Sequence, residues 1–395
     1  MLINSIRTAD VNEKKVLVRA DFNVPLSNGK ISDDTRIKEV LPTINFLLDG
    51  NAKIILMSHL GRPGGEVKEE LKMNPVAEHL SAILKVPVKK LDDCIGPEVK
   101  KEVDAMKPKE IILLENTRFH KEEEACDSEF SKQLADLGEV YVVDSVGTSH
   151  RKHASTYGIS EYLPAYAGFL MEKEVFTLSQ LMKNTPKPLT IIMGGAKIDT
   201  KIGLIKNFLK TADHFLIGGG LANTFLAAQG YDVGESLYEP DKVDLAREIM
   251  LEAEALKENF VLPEDVVVVD EIKEDAKKLN LPVRDVMGQM KIVDIGEKTI
   301  KKFEEIIESS GAIIWNGPMG LYEMPEFSAG TKGIAELVSK ATHAKTLLGG
   351  GDTVDAIHQF DIDSSKFTHV STGGGAMLEF LEGQTLPGVE IILRK

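Results

Sequence analysis

The feature that most constrains the fold of this 395-residue chain is a repeated alternation of two kinds of segment. Short runs rich in Val, Ile and Leu, such as Lys15–Arg19 and Lys53–Met57, are typical of buried strands. The segments Thr35–Leu48 and Asn74–Leu84 that follow them have the apolar spacing of helices. Strands that alternate with helices usually pair in parallel, because a parallel connection needs a long crossover. The chain is therefore predicted to be an α/β protein whose parallel sheets are flanked by helices.

The same alternation continues through both halves of the chain. The remaining predicted strands are Val86–Lys89, Ile111–Leu114, Val140–Val143, Leu189–Met193, His214–Ile217, Val266–Val269, Ala312–Trp315, Lys345–Leu348 and His369–Val370. Between the halves, Ala167–Lys183 has helical spacing and is followed by the helix breaker Pro186-Lys187-Pro188. We therefore expect a rigid helix to connect two units of similar architecture.

Composition separates the two halves chemically and excludes some partners. Six of the nine arginines lie in the first 151 residues, whereas 23 of the 33 glycines lie after residue 190. Arginine suits phosphate and carboxylate, and clustered glycine lets backbone N–H groups approach a ligand closely. The net charge of -15 repels polyanions, so no nucleic-acid partner is expected.

Nothing in the sequence predicts export or a membrane span. The N-terminal segment carries charges before any long apolar run, and no stretch approaches about 18 uncharged apolar residues. Only two cysteines are present, Cys94 and Cys126, and both are predicted to be structural residues of a protein from a reducing, cytoplasmic compartment. The acidic run Glu122–Glu124 is predicted to be a solvated loop face rather than a metal site.

Several familiar nucleotide-binding classes are disfavoured by the residues present. The P-loop pattern G-x-x-x-x-G-K-[ST] is absent, and the first strand is followed by Asp21-Phe22-Asn23-Val24-Pro25 instead of G-x-G-x-x-G. The segment His150-Arg151-Lys152 is not the H-R-D loop of protein kinases. A dinucleotide dehydrogenase and a protein kinase are therefore both disfavoured.

In the first half, polar residues follow the predicted strands at their carboxyl ends. Asp21 and Asn23 follow the first strand, and His59 follows the next. Four arginines are also placed just beyond strand ends, namely Arg36, Arg62, Arg118 and Arg151. A parallel sheet brings these ends to one edge, so the sequence predicts an anion site there. Arg19, inside its strand, is predicted to be structural.

In the second half, glycine-rich segments follow the strands and predict a polyphosphate site. Lys197 and Lys201, four residues apart after Gly194-Gly195, are expected on one helix face near its N-terminus, which favours anions. Asp352 after Gly349-Gly350-Gly351 is a candidate Mg²⁺ ligand, although a helix N-cap is an equally reasonable interpretation. Ser371–Gly375 offers further backbone donors, and the carboxylate of Glu323 could accept from ribose hydroxyls.

An ordered set of motifs resembles the phosphoglycerate kinase family from near the first residue to the last. These motifs are Val18-Arg19-Ala20-Asp21-Phe22-Asn23-Val24-Pro25, Ser58-His59-Leu60-Gly61-Arg62-Pro63, Leu114-Glu115-Asn116-Thr117-Arg118-Phe119, Gly194-Gly195-Ala196-Lys197, Trp315-Asn316-Gly317-Pro318-Met319-Gly320, Gly349-Gly350-Gly351-Asp352-Thr353 and Ser371-Thr372-Gly373-Gly374-Gly375-Ala376. The resemblance implies reversible, Mg²⁺-dependent phosphoryl transfer from 1,3-bisphosphoglycerate to ADP in glycolysis and gluconeogenesis, by direct in-line transfer after hinge closure.

The resemblance also implies a domain organisation and a monomeric state. It implies two Rossmann-like domains, with residues 1–168 binding phosphoglycerate and residues 186–380 binding ATP or ADP. Residues 169–185 would form the hinge helix, and residues 381–395 would pack back on the first domain.

The family's functional residues can be carried over onto matching positions. Those expected to bind phosphoglycerate are Asp21, Phe22, Asn23, Arg36, His59, Leu60, Gly61, Arg62, Arg118 and Arg151. Those expected on the nucleotide side are Gly195, Lys197, Lys201, Gly219, Asn316, Glu323, Gly350, Gly351, Asp352 and Thr353, with Asp352 as the Mg²⁺ ligand. Arg36, Lys197, Lys201 and the N–H groups near Gly373 and Gly374 are expected to stabilise the transferring phosphoryl group.

Two departures from the family pattern affect these expectations. The family usually has Asp-Lys where this chain has Thr200-Lys201, with an aspartate instead at Asp199, so the surroundings of the lysine are expected to differ. The loop Val143–Arg151 also departs from the usual Asn-Asp-Ala-Phe-Gly-Thr-Ala-His-Arg, although Arg151 is retained. Two rival functions stay open at this point, a phosphotransferase with a different acceptor and a non-catalytic nucleotide-binding protein.

Overall fold

A computed structural model describes residues 2–199, 201–256 and 259–394 of the chain. The chain divides into two compact units. The first unit runs to Ser179 and is completed by the segment from Thr385 onward, and the second comprises Gln180–Gln384. No helix within the described ranges is long and apolar enough to cross a membrane.

The first unit is built on a six-stranded parallel sheet. Its strands in chain order are β1 (Lys15–Ala20), β4 (Lys53–Met57), β5 (Val88–Lys90), β6 (Ile111–Leu113), β7 (Val140–Asp144) and β8 (Ala165–Ala167), while β2 (Leu26–Ser27) and β3 (Lys30–Ile31) form a separate hairpin. The spatial order is β5-β6-β4-β1-β7-β8, so β1 lies between β4 and β7. The fully apolar centre of β1, Val16 to Val18, is completely buried, as expected for a strand covered on both faces.

Helices of the first unit follow the strands as the sequence predicted. They are α1 (Thr35–Asp49), α2 (Asn74–Leu84), α3 (Pro97–Asp104), α4 (Lys121–Ala125) and α5 (Ser128–Ala135). The connecting helix α6 (Phe169–Lys183) was predicted two residues too long, because Ala167 belongs to β8 and pairs with Val143 of β7. The short strand β8 was not predicted at all, since Ala165-Tyr166-Ala167 has no β-branched residue.

The second unit contains another six-stranded parallel sheet. Its strands are β9 (Leu189–Met193), β10 (His214–Ile217), β11 (Asn259–Val261), β15 (Ala312–Asn316), β16 (Lys345–Gly349) and β17 (His369–Val370), in the spatial order β11-β10-β9-β15-β16-β17. Trp315 of β15 is completely buried in the main apolar cluster of this unit, beside Phe303 and Ile334. The two helix-flanked parallel sheets confirm the predicted fold class.

One predicted strand belongs to a different sheet. β12 (Asp265–Val269) pairs in antiparallel fashion with β13 (Leu279–Pro282) and β14 (Lys291–Ile295) in a separate three-stranded sheet. The expectation that Val266–Val269 continues the parallel alternation was therefore wrong. A run of four valines predicts a buried strand but does not specify the direction of its neighbours.

In the described residues of the second unit, seven helices lie between and after the strands of its parallel sheet. They are α7 (Ile202–Phe208), α8 (Gly219–Ala228), α9 (Val243–Ala255), α10 (Glu297–Ser309), α11 (Ala329–Lys340), α12 (Gly351–Gln359) and α13 (Gly375–Leu381). The last helix, α14 (Pro387–Glu390), belongs to the first unit. There the Gly388 amide donates to the Ser149 carbonyl at 2.8 Å, and the Asn4 amide donates to the Ile392 carbonyl at 2.7 Å.

Candidate active-site residues

In the first unit, the predicted anion-binding residues follow four strands that are neighbours in the sheet. Asp21 follows β1, His59 follows β4, Arg118 follows β6 and Arg151 follows β7. These strands are contiguous in the order β6-β4-β1-β7. Because all of them are parallel, their carboxyl ends share one edge, where ligands of open α/β sheets bind.

Asp21 organises the residues nearest to the end of β1. Its carboxylate is buried and accepts a 2.8 Å charged hydrogen bond from Nη1 of Arg36. The other oxygen accepts from the Asn23 backbone N–H at 3.2 Å and lies 4.0 Å from Nδ1 of His59. Arg36, the second residue of α1, is only half-buried, so its guanidinium is oriented by Asp21 while still facing solvent.

A second group of hydrogen bonds fixes the loop after β4. The side-chain oxygen of Asn23 accepts from the Gly61 N–H at 2.8 Å, and the Gly61 carbonyl accepts from Nη1 of Arg118 at 3.1 Å. Gly61 has a φ of +64°, and a Cβ there would lie 2.8 Å from the Leu71 side chain. Arg118 is 4% exposed and is paired with Glu124 at 3.1 Å. Asn23, Gly61 and Arg118 therefore form one hydrogen-bonded unit.

His59 lies at the centre of the positive charges in this unit. It is buried, and Nη2 of Arg19 donates to its Nδ1 at 3.2 Å, so the ring proton is on Nε2. Burial, followed by the charges of Arg19, Arg118, Arg36 and Arg151, holds the pKa of His59 well below its usual value. The imidazole is therefore neutral near pH 7. The positive charges of four guanidinium groups all act on this ring.

Arg19 has a larger part in this arrangement than the sequence indicated. It is completely buried, as predicted for a structural residue, and its Nε donates to the Ser155 hydroxyl at 2.8 Å. That hydroxyl in turn bonds Glu123, whose other oxygen accepts from the Ser155 N–H at 2.8 Å. Glu123 is therefore buried in helix α4, and the prediction of a solvated loop for Glu122–Glu124 was wrong at this residue.

The other two predicted arginines differ in exposure. One lies at the surface, and the other lies in the half-buried loop after β7. Arg62 is exposed, and Nε of the half-buried Arg151 donates to Nε2 of His150 at 3.2 Å. The pKa of His153 is lowered to about 4 by burial and by Arg118 and Arg151, so this ring is neutral as well. His150 and His153 were not proposed as site residues from the sequence, although both lie within two residues of Arg151 in the loop after β7.

Two predicted substrate residues contribute backbone rather than side-chain groups to this loop region. Phe22 is completely buried, and its N–H donates to the Ser58 hydroxyl at 2.8 Å. Leu60 is 2% exposed, and its carbonyl accepts from Nδ2 of Asn116 at 2.8 Å. In each residue the side chain is buried in the core, and the backbone makes the polar contact with the neighbouring loop.

In the second unit, glycine-rich loops follow five strands that are also neighbours in the sheet. Gly194 follows β9, Gly218 follows β10, Gly317 follows β15, Gly350 follows β16 and Ser371 follows β17. The strands are contiguous in the order β10-β9-β15-β16-β17. As in the first unit, parallel pairing gathers these loops at one edge of the sheet.

Backbone hydrogen bonds between these loops require the absence of side chains. The Gly195 N–H donates to the Pro318 carbonyl at 2.8 Å, and the Gly219 N–H donates to the Met319 carbonyl at 2.8 Å. Gly219 has a φ of +62°, and a Cβ there would lie 2.8 Å from both the nitrogen and the oxygen of Gly195. A cleft of about 260 Å³ lies against this backbone, lined also by Leu237, Leu321, Glu323 and Asp352.

Asn316 and Thr353 hold the adjoining loops in register. Nδ2 of Asn316 donates to the Gly349 carbonyl at 2.7 Å, and the Thr353 hydroxyl accepts from the Gly317 N–H at 2.7 Å. A Cβ at Gly350, whose φ is +94°, would lie 2.5 Å from Nδ2 of Asn316. Among the described residues, Oδ1 of Asn316 is buried without a hydrogen-bond partner, which leaves one acceptor for a bound ligand.

The two predicted lysines are not on one helix face. Helix α7 begins at Ile202, and Lys197 lies in the loop before it, after Gly195 with its φ of +86°. The Lys201 N–H donates to the Ile198 carbonyl at 2.8 Å in the turn that leads into the helix. The prediction was wrong because a spacing of four residues implies a shared face only inside a continuous helix. Thr200, the departure discussed above, lies outside the described residues.

Lys201 has an environment unlike that of the exposed Lys197. It is 8% exposed, and burial lowers its pKa to about 8, while the charge of Asp352 acts in the opposite direction. Asp352 is exposed at the second position of α12, whose N-cap is Gly350, so the alternative interpretation of Asp352 as the N-cap is wrong. A single carboxylate near a helix N-terminus suits Mg²⁺ that takes its other ligands from phosphate and water.

The last glycine loop provides fewer free donors than its sequence suggested. The Gly373 N–H already donates to the Ser371 hydroxyl at 3.0 Å. Gly374, with a φ of +52°, is the N-cap of α13, and a Cβ at Gly374 or Gly375 would meet no atom within 4 Å. The open backbone of this loop is therefore at Gly374 and Gly375 rather than at Gly373.

Together, these features define a class of protein and allow comparison with known proteins. Arginines around a neutral histidine in one unit, and glycine loops with a buried lysine in the other, are typical of an α/β phosphotransferase. Residues 6–384 match the sequence profile of the family described as Phosphoglycerate kinase. Curated phosphoglycerate kinases are 52% identical over 397 residues in Dictyoglomus turgidum and 48% identical over 391 residues in Moorella thermoacetica, covering 99–100% of this chain and 99% of each relative.

Solved structures give the same result. The phosphoglycerate kinase of Coxiella burnetii is similar with a TM-score of 0.88 at 39% identity, covering 99% of this chain and 98% of that one. The enzyme of Pyrococcus horikoshii is similar with a TM-score of 0.85 at 31% identity and the same coverage. The chain belongs to the phosphoglycerate kinase family, and it is a kinase. The resemblance inferred from the motifs is confirmed.

Proposed function

We propose that this chain transfers a phosphoryl group reversibly from 1,3-bisphosphoglycerate to Mg-ADP, giving 3-phosphoglycerate and ATP. The observation that carries the proposal is the focus of four arginine charges on the neutral His59. A ligand with a carboxylate or acyl phosphate at one end and a phosphate at the other carries enough negative charge to need such a site. Family membership supports the same substrates.

In the first unit, the proposed roles follow from which groups are already fixed. Arg118 is held by Gly61 and Glu124, so it suits an anchor for the non-reacting phosphate. Arg36 is oriented by Asp21 but stays half-exposed, so its guanidinium is available to the reacting acyl phosphate. The Nε2–H of His59 supplies a neutral donor. Arg62 and Arg151 complete the set, and Asp21, Phe22, Asn23, Leu60 and Gly61 shape the site.

In the second unit, we assign the cleft beside Gly195 and Gly219 to the nucleoside of ATP or ADP, with Glu323 at its rim. Lys197 and Lys201 would pair with the phosphates, which also contact backbone near Gly350, Gly351 and Gly374. Asp352 would hold Mg²⁺, whose charge neutralises the phosphate oxygens when the nucleotide is bound. Asn316 and Thr353 act through the loops that they hold together, with the free Oδ1 of Asn316 as a further acceptor.

Direct transfer requires no covalent intermediate on the protein. An acyl phosphate is already activated, so positioning and charge neutralisation supply most of the catalysis. Arg36, Lys197 and Lys201 would stabilise the charge that develops on the transferring group, with N–H groups near Gly373 and Gly374. The Gly373 amide would have to exchange its bond to Ser371 to take part. We propose that closure about the connecting helix precedes the transfer step and excludes water.

We further propose that the protein acts in the cytoplasm as a monomer. The sequence contains only two cysteines, Cys94 and Cys126, and a chain of this length without a disulfide framework is typical of a reducing compartment. A net charge of -15 argues against nucleic acid as a partner.

The proposed reaction is tested by measuring ADP formation from Mg-ATP in the presence and absence of 3-phosphoglycerate. A coupled dehydrogenase removes the acyl-phosphate product, because this direction is unfavourable. We expect turnover that requires both 3-phosphoglycerate and Mg²⁺ and that stops when EDTA is added. Folded protein that binds Mg-ADP but turns over only with another carboxylate would instead identify a phosphotransferase with a different acceptor. Binding without turnover on any carboxylate would favour the non-catalytic interpretation.

A further inference from the structure

Outside the residues assigned to the reaction, one group of side chains has the composition of a metal site. The carboxylate of Asp93, the thiol of Cys94 and the imidazole of His120 place one donor atom each within 4.8 Å of the other two. Within residues 2–199, 201–256 and 259–394, no other group of three His, Cys, Asp or Glu side chains meets this spacing. Among the described residues, these three are therefore the one group whose donor atoms lie close enough together to bind a single metal ion.

The fold brings these residues together from two separate loops. Asp93 and Cys94 lie between β5 and α3, and His120 lies between β6 and α4. Strands β5 and β6 are parallel neighbours, so the loops at their carboxyl ends are adjacent. The Glu115 N–H donates to the Asp93 carbonyl at 3.3 Å, which ties one loop to the other.

The donor groups are already oriented toward one another. Oδ1 of Asp93 accepts from the Cys94 N–H at 2.6 Å and lies 2.7 Å from Nε2 of His120. The imidazole of His120 packs on the ring of Phe130, with centroids 5.2 Å apart. Bringing three donors to bonding distance of one ion requires shifts of about 1 Å, since Zn–S and Zn–N bonds are about 2.3 and 2.0 Å long. Loop residues can make shifts of this size.

The chemistry of the donors favours a borderline-soft transition-metal ion. Mg²⁺ and Ca²⁺ take oxygen ligands almost exclusively, whereas a thiolate with an imidazole selects ions such as Zn²⁺. Three protein ligands and one open position for water form a common four-coordinate arrangement. We propose that Asp93, Cys94 and His120 form a Zn²⁺-binding site with one position left for water.

The surroundings are suited to a cation and give it access. Glu122 and Glu123 lie close enough for their charges to act on His120, and Glu123 also acts on Cys94. Cys94 is completely buried, but the side chains of Asp93 and His120 are 51% and 27% exposed. An ion can therefore reach Asp93 and His120 from solvent, and a movement of the Asp93–Cys94 loop would be needed to bring the thiol to it. Binding would replace the Cys94 proton and any proton on His120, because metal ligands must be deprotonated.

The experiment uses Co²⁺ as a spectroscopic probe, because a thiolate bound to Co²⁺ gives a charge-transfer band in the near ultraviolet. The chain contains only two cysteines, so the assignment of such a band needs only two variants. The full-length protein is titrated with Co²⁺ under a non-thiol reductant, and Zn²⁺ is then added. We expect a band that saturates at one equivalent, is bleached by Zn²⁺, persists in Cys126→Ser and disappears in Cys94→Ser.

A second variant keeps the test valid if Cys94→Ser does not fold. His120→Asn is expected to weaken Co²⁺ binding by at least about tenfold, since loss of a direct ligand should cost no less than loss of an outer-shell partner. Lack of a thiolate band in the wild-type protein at one equivalent of Co²⁺ would overturn the proposal. A band that is lost in Cys126→Ser, or an affinity unchanged in His120→Asn, would overturn it as well.

Discussion

The two units carry their candidate anion-binding groups at the same edge of the same kind of sheet, but the groups differ in kind. In the first unit, guanidinium and imidazole side chains follow four contiguous strands and are held by charged hydrogen bonds such as that of Arg36 with Asp21. In the second, backbone at Gly195 and Gly219 lines the cleft, and Lys201 is the only buried lysine or arginine among residues 180–199, 201–256 and 259–384. We therefore predict that anion binding depends mainly on charge in the first unit and mainly on the shape of the backbone in the second.

The largest expected effect tests the importance of charge in the first unit. Arg36→Ala should lower turnover by about 10³-fold or more, as for other arginines that neutralise a transferring phosphoryl group, with smaller changes in nucleotide affinity. The measurement is steady-state turnover at saturating substrates. Arg247→Ala, which removes an exposed arginine of the second unit, serves as the control and should stay within twofold of wild type. Turnover of Arg36→Ala within tenfold of wild type would exclude this role.

A smaller effect separates anchoring from catalysis among the arginines. Arg118→Ala should raise the Michaelis constant for 3-phosphoglycerate by about tenfold to a hundredfold, the range expected for loss of a charged hydrogen bond. Turnover at saturation should fall much less, because the lost contact is made equally in the ground and transition states. Arg284→Ala in the second unit, another exposed arginine, is the control. An unchanged Michaelis constant would contradict the assignment of Arg118 as an anchor.

The importance of shape in the second unit is tested by a matched pair of glycines. Gly219 and Gly288 have φ values of +62° and +64°, but a Cβ at Gly219 meets backbone at 2.8 Å and one at Gly288 meets nothing within 4 Å. Gly219→Ala should weaken Mg-ADP binding by about tenfold or more, since the loops must separate by an amount that costs about 1–3 kcal/mol.

Gly288→Ala introduces a similar backbone strain, but its added methyl group meets no other atom. Its Mg-ADP affinity should therefore stay within twofold of wild type. Calorimetric titration of both variants gives the comparison. Equal losses of affinity in the two variants would mean that backbone strain, and not close approach of the loops, governs the cleft.

The smallest effect concerns the pH dependence of nucleotide binding. The pKa of Lys201 is lowered to about 8 by burial, so the free side chain loses its charge above that pH. A polyphosphate favours the charged form, so binding must take up a proton there, and affinity should fall about eightfold between pH 7.5 and 9. Calorimetry in buffers of different ionisation enthalpy measures this proton uptake.

Lys201→Met should bind Mg-ADP more weakly and should show a flatter affinity profile between pH 7.5 and 9. Lys206→Met, which removes an exposed lysine of α7, should keep the wild-type profile. A wild-type pH profile in Lys201→Met would show that another group is responsible.

The sequence predicted most strands and the placement of the candidate residues, because both depend on local pattern. Runs such as Leu189–Met193 and His214–Ile217 have the observed bounds, and the polar residues directly after strands must lie at one edge of a parallel sheet. The pattern did not predict the direction of Val266–Val269, since pairing direction depends on partners distant in the chain.

Long-range contacts also explain the other differences. Glu123 is buried because Ser155, 32 residues later, supplies its hydrogen bonds. Lys197 lies outside the helix because α7 begins only at Ile202, after a turn in which the Lys201 N–H bonds the Ile198 carbonyl, and spacing alone does not reveal where a helix begins. Asp93 and His120 are 27 residues apart in the sequence and meet only because β5 and β6 are neighbours.

Completion of the first unit by the segment from Thr385 onward has a consequence for biosynthesis. During translation, the whole second unit emerges from the ribosome before the residues that finish the first one. Leu386, Val389 and Ile392 are buried there, and Gly388 bonds the backbone of Ser149, two residues before Arg151. The loop that carries Arg151 therefore acquires its final support only at the end of synthesis, after every residue of the second unit has been made.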